Sequence, residues 1–163
     1  VDDRLGPPSV VTVRVHTIIP GKFHISGHPR EDPAAVSWLR HMRITHVICL
    51  VNKQSEVVRA EYGDRYLHYP MSDGLLMDQA RWDELVGVAS NLYHERWPSV
   101  LAHCNAGRNR SGLLAVLMLV EFIGLSPADA LDYVRKIRPR AVANPAFEEY
   151  IGDLQHSWLR RQR

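Results

Sequence analysis

The feature that most constrains this chain is the segment Ser111–Ile123, which is apolar on nearly every side of a helical projection. A helix with so little polar surface is typical of the interior of a layered fold. The preceding segment, Ser99–His103, has the pattern of a short strand, and a polar loop that contains Gly107 joins the two. The sequence therefore predicts a central strand, a tight loop and a buried helix within an α/β domain.

Strands and helices alternate through the rest of the chain. His46–Val51 is an apolar, β-branched run without polar alternation, as expected of a strand covered on both faces. The other strands are predicted at Val10–Ile19, Phe23–Gly27 and Arg65–Tyr69. Helices are predicted to follow the caps Asp32, Asp78 and Ser126 and to begin at about Pro145, with Trp97-Pro98 and Arg138-Pro139 ending two of them. Together these segments predict a central mixed sheet with helices on both faces.

Length and composition indicate one globular domain. The chain has 163 residues, of which 45% are hydrophobic and 23% are charged. We expect a folded domain at residues 10–159, an N-terminal tail at 1–9 and a basic C-terminal tail at 160–163. The longest uncharged apolar run, Leu113–Val120, has eight residues. A bilayer-spanning helix needs about 20, so a membrane span is not expected.

Charge and cysteine content bear on partners and location. The net charge of +2 is too small to indicate nucleic-acid binding, although 17 arginines against 3 lysines favour contacts with oxyanions. The chain has two cysteines, Cys49 and Cys104, so a reducing compartment is expected. The segment Val1–Pro8 is polar and proline-rich, unlike the apolar core of a signal peptide. We therefore expect a cytoplasmic protein.

The loop between the central strand and the buried helix has the features of an anion site. Its backbone N–H groups are expected to point inward, and the helix N-terminus adds partial positive charge. Gly107 and Gly112 are expected to permit the dihedral angles that close packing around an oxyanion requires. Arg110 can direct two N–H groups at phosphate oxygens. The residues predicted to bind phosphate are Asn105, Ala106, Gly107, Arg108, Asn109 and Arg110.

Cys104 lies at the start of this loop, where the positive field favours the thiolate, the form that attacks phosphorus. Ser111 is placed so that its hydroxyl can donate to the sulfur and stabilise it as a leaving thiolate. His103 is expected to orient the loop from behind. Zinc is not expected, because neighbouring strand residues such as His103 and Cys104 point to opposite faces and no second pair of ligands is evident.

The segment His103-Cys104, five residues, Arg110 and Ser111 resembles the signature of the protein tyrosine phosphatase superfamily. It is most similar to the compact dual-specificity branch, and the resemblance extends over about residues 15–155. The resemblance implies a cysteine-dependent phosphatase without a metal or cofactor. In that family an aspartate about thirty residues upstream protonates the leaving oxygen, which implies that Asp73 is the general acid.

Several assignments stay open. Asp78 and Asp64 are alternatives to Asp73, but Asp78 fits a helix cap and Asp64 precedes a strand. Trp97-Pro98 resembles the acid loop of the classical tyrosine phosphatases, yet Ser99 follows in place of aspartate. Cys49 is interpreted as a buried apolar residue, with a disulfide to the nucleophile as the alternative.

The roles of three further side chains also stay open. Arg108 is either a substrate contact or a solvated loop residue. Asn109 is a candidate brace of the loop. Asn144 precedes the last helix, where the dual-specificity branch often has an asparagine, and a helix cap explains it equally well.

The function expected from this reasoning is hydrolysis of phosphomonoesters through a cysteinyl-phosphate intermediate. The expected partner is a phosphorylated protein or peptide, most of all one with phosphotyrosine, with phosphoserine and phosphothreonine as further substrates. RNA 5′-triphosphatases and phosphoinositide phosphatases of the same superfamily are alternatives, and nucleic acid is a partner only under the first of them. A phosphoprotein-binding module without turnover is the alternative from another class.

Overall fold

The computed structural model describes residues 13–74 and 78–163 of the chain. Its five strands form one sheet with the order β1-β2-β5-β3-β4. β1 and β2 pair antiparallel, and the other neighbours pair parallel, which confirms the predicted mixed sheet. The strands are β1 (Val15–Ile19), β2 (Phe23–Ser26), β3 (His46–Cys49), β4 (Tyr66–His68) and β5 (Val100–His103).

Six α-helices accompany the sheet in the described part of the chain. They are α1 (Pro33–His41), α2 (Glu56–Tyr62), α3 (Gln79–His94), α4 (Arg110–Met118), α5 (Pro127–Ile137) and α6 (Pro145–Arg161). The predicted caps are confirmed, because the side chains of Asp32, Asp78 and Ser126 accept the N–H groups of Ala34, Arg81 and Asp129. These acceptors satisfy backbone donors that have no partner within the first helical turn.

The predicted strands are longer by one or more residues than the observed ones, and three larger differences stand out. The first strand starts at Val15, and residues 10–12 of its predicted range lie outside the described residues. The apolar segment predicted as one helix to Ile123 is α4 followed by a π-helical segment, Leu119–Ile123. Helix α2 was not predicted. Ser55 caps it by accepting the N–H of Val58, but the helix is too short to show a long apolar stripe in the sequence.

The core lies around β5 and α4. All four residues of β5 and of β2 are buried, and because successive strand residues face opposite sides, both faces of the sheet are covered. Helix α4 packs on β2 and β5, and all its residues from Ser111 to Met118 are buried. The carboxyl end of β5 and the amino end of α4 therefore meet in the middle of the fold.

None of the helices in residues 13–74 and 78–163 combines the length and the apolar character needed to cross a lipid bilayer.

Candidate active site

Residues 104–109 form the loop between β5 and α4 and are attached to the end of β2. The Cys104 N–H donates to the Ser26 carbonyl at 3.3 Å, and the Asn105 carbonyl accepts the His28 N–H at 3.0 Å. Cys104 itself is a free thiol with 2% of its surface exposed. The candidate nucleophile is therefore a buried thiol in a loop that is hydrogen-bonded to the end of β2.

Four consecutive carbonyls of this loop are bound by groups outside it. The first is the Asn105 carbonyl described above. The carbonyls of Ala106 and Gly107 accept N–H groups of the Arg138 guanidinium at 3.1 and 3.2 Å. The Arg108 carbonyl accepts the Val142 N–H at 3.0 Å. In a trans peptide the next residue's N–H points opposite to the carbonyl. The N–H groups of residues 106–109 therefore point into the loop, as an oxyanion site requires.

Arg138 is a functional candidate that the sequence reasoning missed. Its pattern indicated only a helix end at Arg138-Pro139, and helix α5 does end at Ile137. The guanidinium reaches the loop across 31 and 32 positions of the chain, which no local pattern signals. Arg138 is thus a candidate positioning residue that holds the loop from outside.

The two glycines of the motif have different roles. Gly107 has a φ of +67°, and a Cβ atom there would lie 2.6 Å from backbone atoms of Ser26 and Gly27. Only glycine fits such a position. Gly112 lies in helix α4 without a positive φ, and a Cβ there would meet Val142 at 3.2 Å and Ala141 at 3.4 Å. Its expected role in permitting special dihedral angles is therefore wrong, and its absent side chain instead allows close packing against residues 141–142.

The Ser111 hydroxyl lies 3.3 Å from the Cys104 sulfur, and both residues are buried. Either atom can be the donor of this contact. With a thiolate at Cys104 the hydroxyl must donate, because a thiolate carries no proton. The structure therefore brings Ser111 to the position that the sequence predicted.

Arg110 directly follows the loop as the first residue of helix α4. One terminal N–H group donates to the Met71 carbonyl at 3.3 Å. Its Nε atom is buried and has no hydrogen-bond partner among the described residues. Leaving such a donor unpaired costs about 1–3 kcal/mol, so Arg110 favours the binding of an anion.

Asp73 is held beside the loop by two asparagines. Its carboxylate accepts the Asn144 amide at 2.7 Å and the Asn109 amide at 3.4 Å. The Asn109 side-chain oxygen in turn accepts the Asn144 backbone N–H at 3.2 Å. Asn144 also caps helix α6 by accepting the N–H of Ala146. The interpretation of Asn144 as a helix cap is therefore confirmed, and Asn109 joins the loop to the candidate acid.

The alternative acids lie elsewhere. Asp78 caps helix α3 through the Arg81 N–H at 3.2 Å. Asp64 is exposed in a short 3₁₀ turn, Gly63–Arg65, that precedes the amino end of β4. Trp97 precedes the amino end of β5, and 78% of its surface is exposed. Since the loop follows the carboxyl end of β5, both Asp64 and Trp97 lie at the opposite edge of the sheet.

His103 lies behind the loop and is fully buried. Its Nδ1 donates to the Cys104 carbonyl at 3.4 Å, and its ring meets the edge of His28 at 5.2 Å between centroids. Burial, with a smaller contribution from His28, lowers the pKa of His103 to about 3. His103 is thus a neutral hydrogen-bond donor to the loop near neutral pH.

Cys49 is the register partner of His103 across β3 and β5. Its thiol is buried and donates to the Val51 carbonyl at 3.3 Å, and burial raises its pKa. Both cysteines are free. The environment is that of a small apolar side chain, as predicted, and a disulfide with Cys104 stays an untested alternative. No cluster of three or more potential metal ligands occurs within the described residues.

Comparison with known proteins agrees with this geometry. The model of the dual specificity phosphatase catalytic domain matches residues 30–156. The protein tyrosine phosphatase PRL-1 of Trypanosoma cruzi (strain CL Brener) is 26% identical over 137 residues, which cover 83% of this chain and 73% of that protein. Serine/threonine/tyrosine-interacting protein A of Xenopus laevis is 25% identical over 145 residues, covering 87% of this chain and 65% of that protein.

Among solved structures, the active form of the phosphatase Tk-PTP superposes with a TM-score of 0.74. The two sequences are 27% identical, and the match covers 87% of this chain and 96% of Tk-PTP. Most of this chain therefore has a counterpart of known structure.

Proposed function

Because this chain belongs to the dual specificity phosphatase catalytic domain family, we propose that it hydrolyses phosphomonoesters through a cysteinyl-phosphate intermediate on Cys104. The observation that supports the proposal most is that the loop carbonyls of residues 105–108 are bound from outside, which directs four N–H groups inward, in a loop that begins with the buried Cys104 thiol. These donors are fixed before substrate binds, so they stabilise the equatorial phosphate oxygens without reorganisation. Arg110 supplies the remaining donors and a full positive charge.

In the first step, the Cys104 thiolate attacks phosphorus and forms an S–P bond while the bond from phosphorus to the leaving oxygen breaks. Asp73 gives its proton to that oxygen, so the alcohol or phenol leaves neutral. Support for this role comes from the hydrogen bonds of Asp73 to Asn109 and Asn144 at the rim of the loop. The pair of asparagines holds the acid in place before the substrate binds.

In the second step, water attacks phosphorus, the Asp73 carboxylate takes the proton of the water, and the S–P bond breaks. The departing sulfur becomes a thiolate again. The Ser111 hydroxyl, 3.3 Å away, stabilises it by donating a hydrogen bond. Inorganic phosphate is then released and the enzyme returns to its starting state.

The proposed substrates are phosphorylated proteins or peptides, with phosphotyrosine first and phosphoserine or phosphothreonine second. The family membership and the exposed Asp73 at the rim support access by a bulky leaving group. A non-catalytic role in phosphoprotein binding is favoured less. The relative from Xenopus laevis is named an interacting protein, but Cys104, Arg110 and Asp73 are all present here and lie around one loop.

The test is hydrolysis of p-nitrophenyl phosphate in EDTA and a reducing agent. We expect turnover that vanadate inhibits and that falls by at least about 10³-fold in Cys104→Ser, because a serine hydroxyl is not ionised at neutral pH. Cys49→Ser is the matched control and should keep most of the activity. Equal activity of Cys104→Ser and the wild type would refute the proposal, and no turnover by folded, reduced wild type would favour the binding module.

A further inference from the structure

Arg81 connects helix α3 to the segment that leads to the candidate acid. Its Nε atom donates to the Pro70 carbonyl at 2.9 Å, and its guanidinium lies over the Tyr69 ring, 4.6 Å from the centroid. A planar guanidinium can stack on an aromatic ring while its N–H group donates to a neighbouring acceptor, whereas the ammonium group of lysine cannot do both in this way. Arg81 therefore holds two consecutive residues, one by a hydrogen bond and the other by stacking.

This contact completes the anchoring of the backbone around Pro70. The N–H groups of residues 69 and 71 donate to carbonyls at the end of β3 and just after it, at 2.8 and 3.0 Å. Pro70 lies between them and has no N–H group to donate. Its carbonyl is therefore the backbone group through which it can be held, and Arg81 binds that carbonyl from α3. Asp73 follows only three residues later, so the position of its backbone depends on this anchor.

Arg81 occupies a helix position that is locally unfavourable for a cation. It is the third residue of α3, where the helix end carries partial positive charge and acidic side chains are preferred. Its guanidinium forms no ion pair with the carboxylates of residues 13–74 and 78–163, where the paired arginines are Arg40, Arg59 and Arg135. A residue that breaks a local preference in this way indicates a tertiary role. The tertiary contacts of Arg81 are those with residues 69 and 70.

The other side-chain anchors of this segment lie on the side of the phosphate loop. Asn144 and Asn109 hold the Asp73 carboxylate. Arg110 donates to the Met71 carbonyl, but under the proposed function its guanidinium also binds the substrate phosphate. The side-chain hydrogen bond of Arg81 goes to Pro70 and not to the phosphate loop. Its loss should therefore displace the acid and leave phosphate binding intact.

We propose that Arg81 is a positioning residue for the general acid. By holding Pro70 and Tyr69, it keeps Asp73 within reach of the leaving oxygen of the substrate. The inference rests on the proposed function, because it gives Arg81 a role only in a reaction in which Asp73 donates a proton. Proton transfer requires hydrogen-bond distance between the acid and the leaving oxygen, so a small displacement of the acid lowers the rate.

The test is kcat/KM of Arg81→Gln with two esters, phenyl phosphate and p-nitrophenyl phosphate. We expect a fall of about tenfold on phenyl phosphate and of less than about threefold on p-nitrophenyl phosphate, because the poorer leaving group needs the acid more. Competitive inhibition by inorganic phosphate should change by less than about twofold, since the preorganised donors of the loop are untouched. Arg81→Lys is the milder variant should Arg81→Gln not fold, with an expected loss of about threefold on phenyl phosphate because it keeps a donor.

Arg65→Gln is the matched control. Arg65 likewise stacks on an aromatic ring, that of Tyr62 at 5.4 Å, and donates to a backbone carbonyl, that of Thr45 at 3.1 Å. Residues 45 and 65 precede the amino ends of β3 and β4, at the opposite edge of the sheet from the phosphate loop. This variant loses the same two kinds of contact and should keep its activity on both esters. Folding of each variant is checked by circular dichroism and thermal unfolding.

A double-mutant cycle with Asp73→Asn separates positioning of the acid from a general structural effect. In that background Arg81→Gln should lower kcat/KM on phenyl phosphate by less than about twofold, because the group through which Arg81 acts is already lost. A further loss as large as that in the wild-type background would overturn the proposal. Equal losses on the two esters, or unchanged activity of folded Arg81→Gln on phenyl phosphate, would also overturn it.

Failure of the proposed function has a different signature. Absence of p-nitrophenyl phosphate turnover in the wild type would refute the phosphatase itself. Equal activity of Asp73→Asn and the wild type on phenyl phosphate would refute the acid on which the role of Arg81 depends.

Discussion

Gly107 and Gly124 make it possible to measure the steric requirement of the phosphate loop separately from the cost of a left-handed backbone conformation. Both have positive φ, +67° and +79°. A Cβ at Gly107 would meet the backbone at 2.6 Å, whereas a Cβ at Gly124 would have nothing within 4 Å. A side chain at either position therefore carries the cost of a left-handed backbone, but only at Gly107 would its Cβ atom also clash with the backbone.

We expect Gly124→Ala to cost about 1–2 kcal/mol of unfolding free energy, the cost of left-handed backbone, and to keep its activity. Gly107→Ala should cost more and lower kcat/KM by at least about 10²-fold, because the shifted loop no longer aligns its N–H groups. Urea unfolding and p-nitrophenyl phosphate hydrolysis measure the two effects. An active Gly107→Ala would contradict the account of the loop.

Asn144 links the acid to helix α6 by two separable contacts. Its oxygen caps the helix and its amide nitrogen holds Asp73. Asn144→Ser keeps a cap but loses the amide donor. We expect little change in thermal stability and a fall in kcat of about tenfold on phenyl phosphate, with a smaller fall on p-nitrophenyl phosphate, because a poor leaving group needs the acid more.

The control for this variant is Asn91→Ser, on the exposed face of α3. Equal losses on both esters would indicate a general disturbance of the site and contradict the positioning of Asp73 by Asn144.

At the scale of elements, the end of β5 buries a neutral histidine whose titration affects stability. The pKa of His103 is about 3 in the folded protein, against 6.5 for an ordinary histidine. Between these values the unfolded chain binds a proton that the folded chain does not. Stability is therefore fully present above pH 6.5 and falls by up to about 1.4 kcal/mol per pH unit as the pH drops towards 3.

His103→Asn keeps a donor near the position of Nδ1 and removes the titrating ring. We expect this variant to be less stable at pH 7, owing to lost packing, but to show a shallower decline of unfolding free energy between pH 6.5 and pH 4. Urea unfolding at several pH values measures the slope. His156→Asn, on the exposed side of α6, is the control, and an unchanged slope in His103→Asn would contradict the assignment.

Local signals explain which elements were predictable. The caps at Asp32, Asp78 and Ser126 each act on an N–H group two or three residues away, so the sequence alone indicated the starts of α1, α3 and α5. The strand, loop and buried helix around Cys104 were predictable for the same reason. Helix α2 has only seven residues, too few for a periodic apolar pattern to identify it.

Contacts between distant segments were not predictable in this way. Asp73 was assigned through family resemblance, but its bonds to Asn109 and Asn144 span 36 and 71 positions. The hydrogen bonds of Arg138 to the loop carbonyls likewise depend on how α5 packs beside the sheet. The sequence identified these residue types, whereas their convergence on one loop follows only from the tertiary fold.

For the whole molecule, the small net charge does not show how unevenly the basic side chains are distributed over the surface. The formal charge is +2, yet one groove beside the phosphate loop is lined by five cations: Arg14, Arg108, Lys136, Arg138 and Arg140. Such local fields attract anionic substrates and weaken as salt screens them. The fold therefore places a buried thiol close to a surface groove rich in arginine.

In the proposed reaction, the phosphate group is transferred to the sulfur of Cys104. The most direct measurement is rapid acid quench of the wild type and of Asp73→Asn with p-nitrophenyl phosphate, followed by mass spectrometry of the peptide that contains Cys104. We predict one added phosphate on that cysteine, with more of it trapped in Asp73→Asn because the second step lacks its base. Turnover without any phosphate on Cys104 at any quench time would contradict the account.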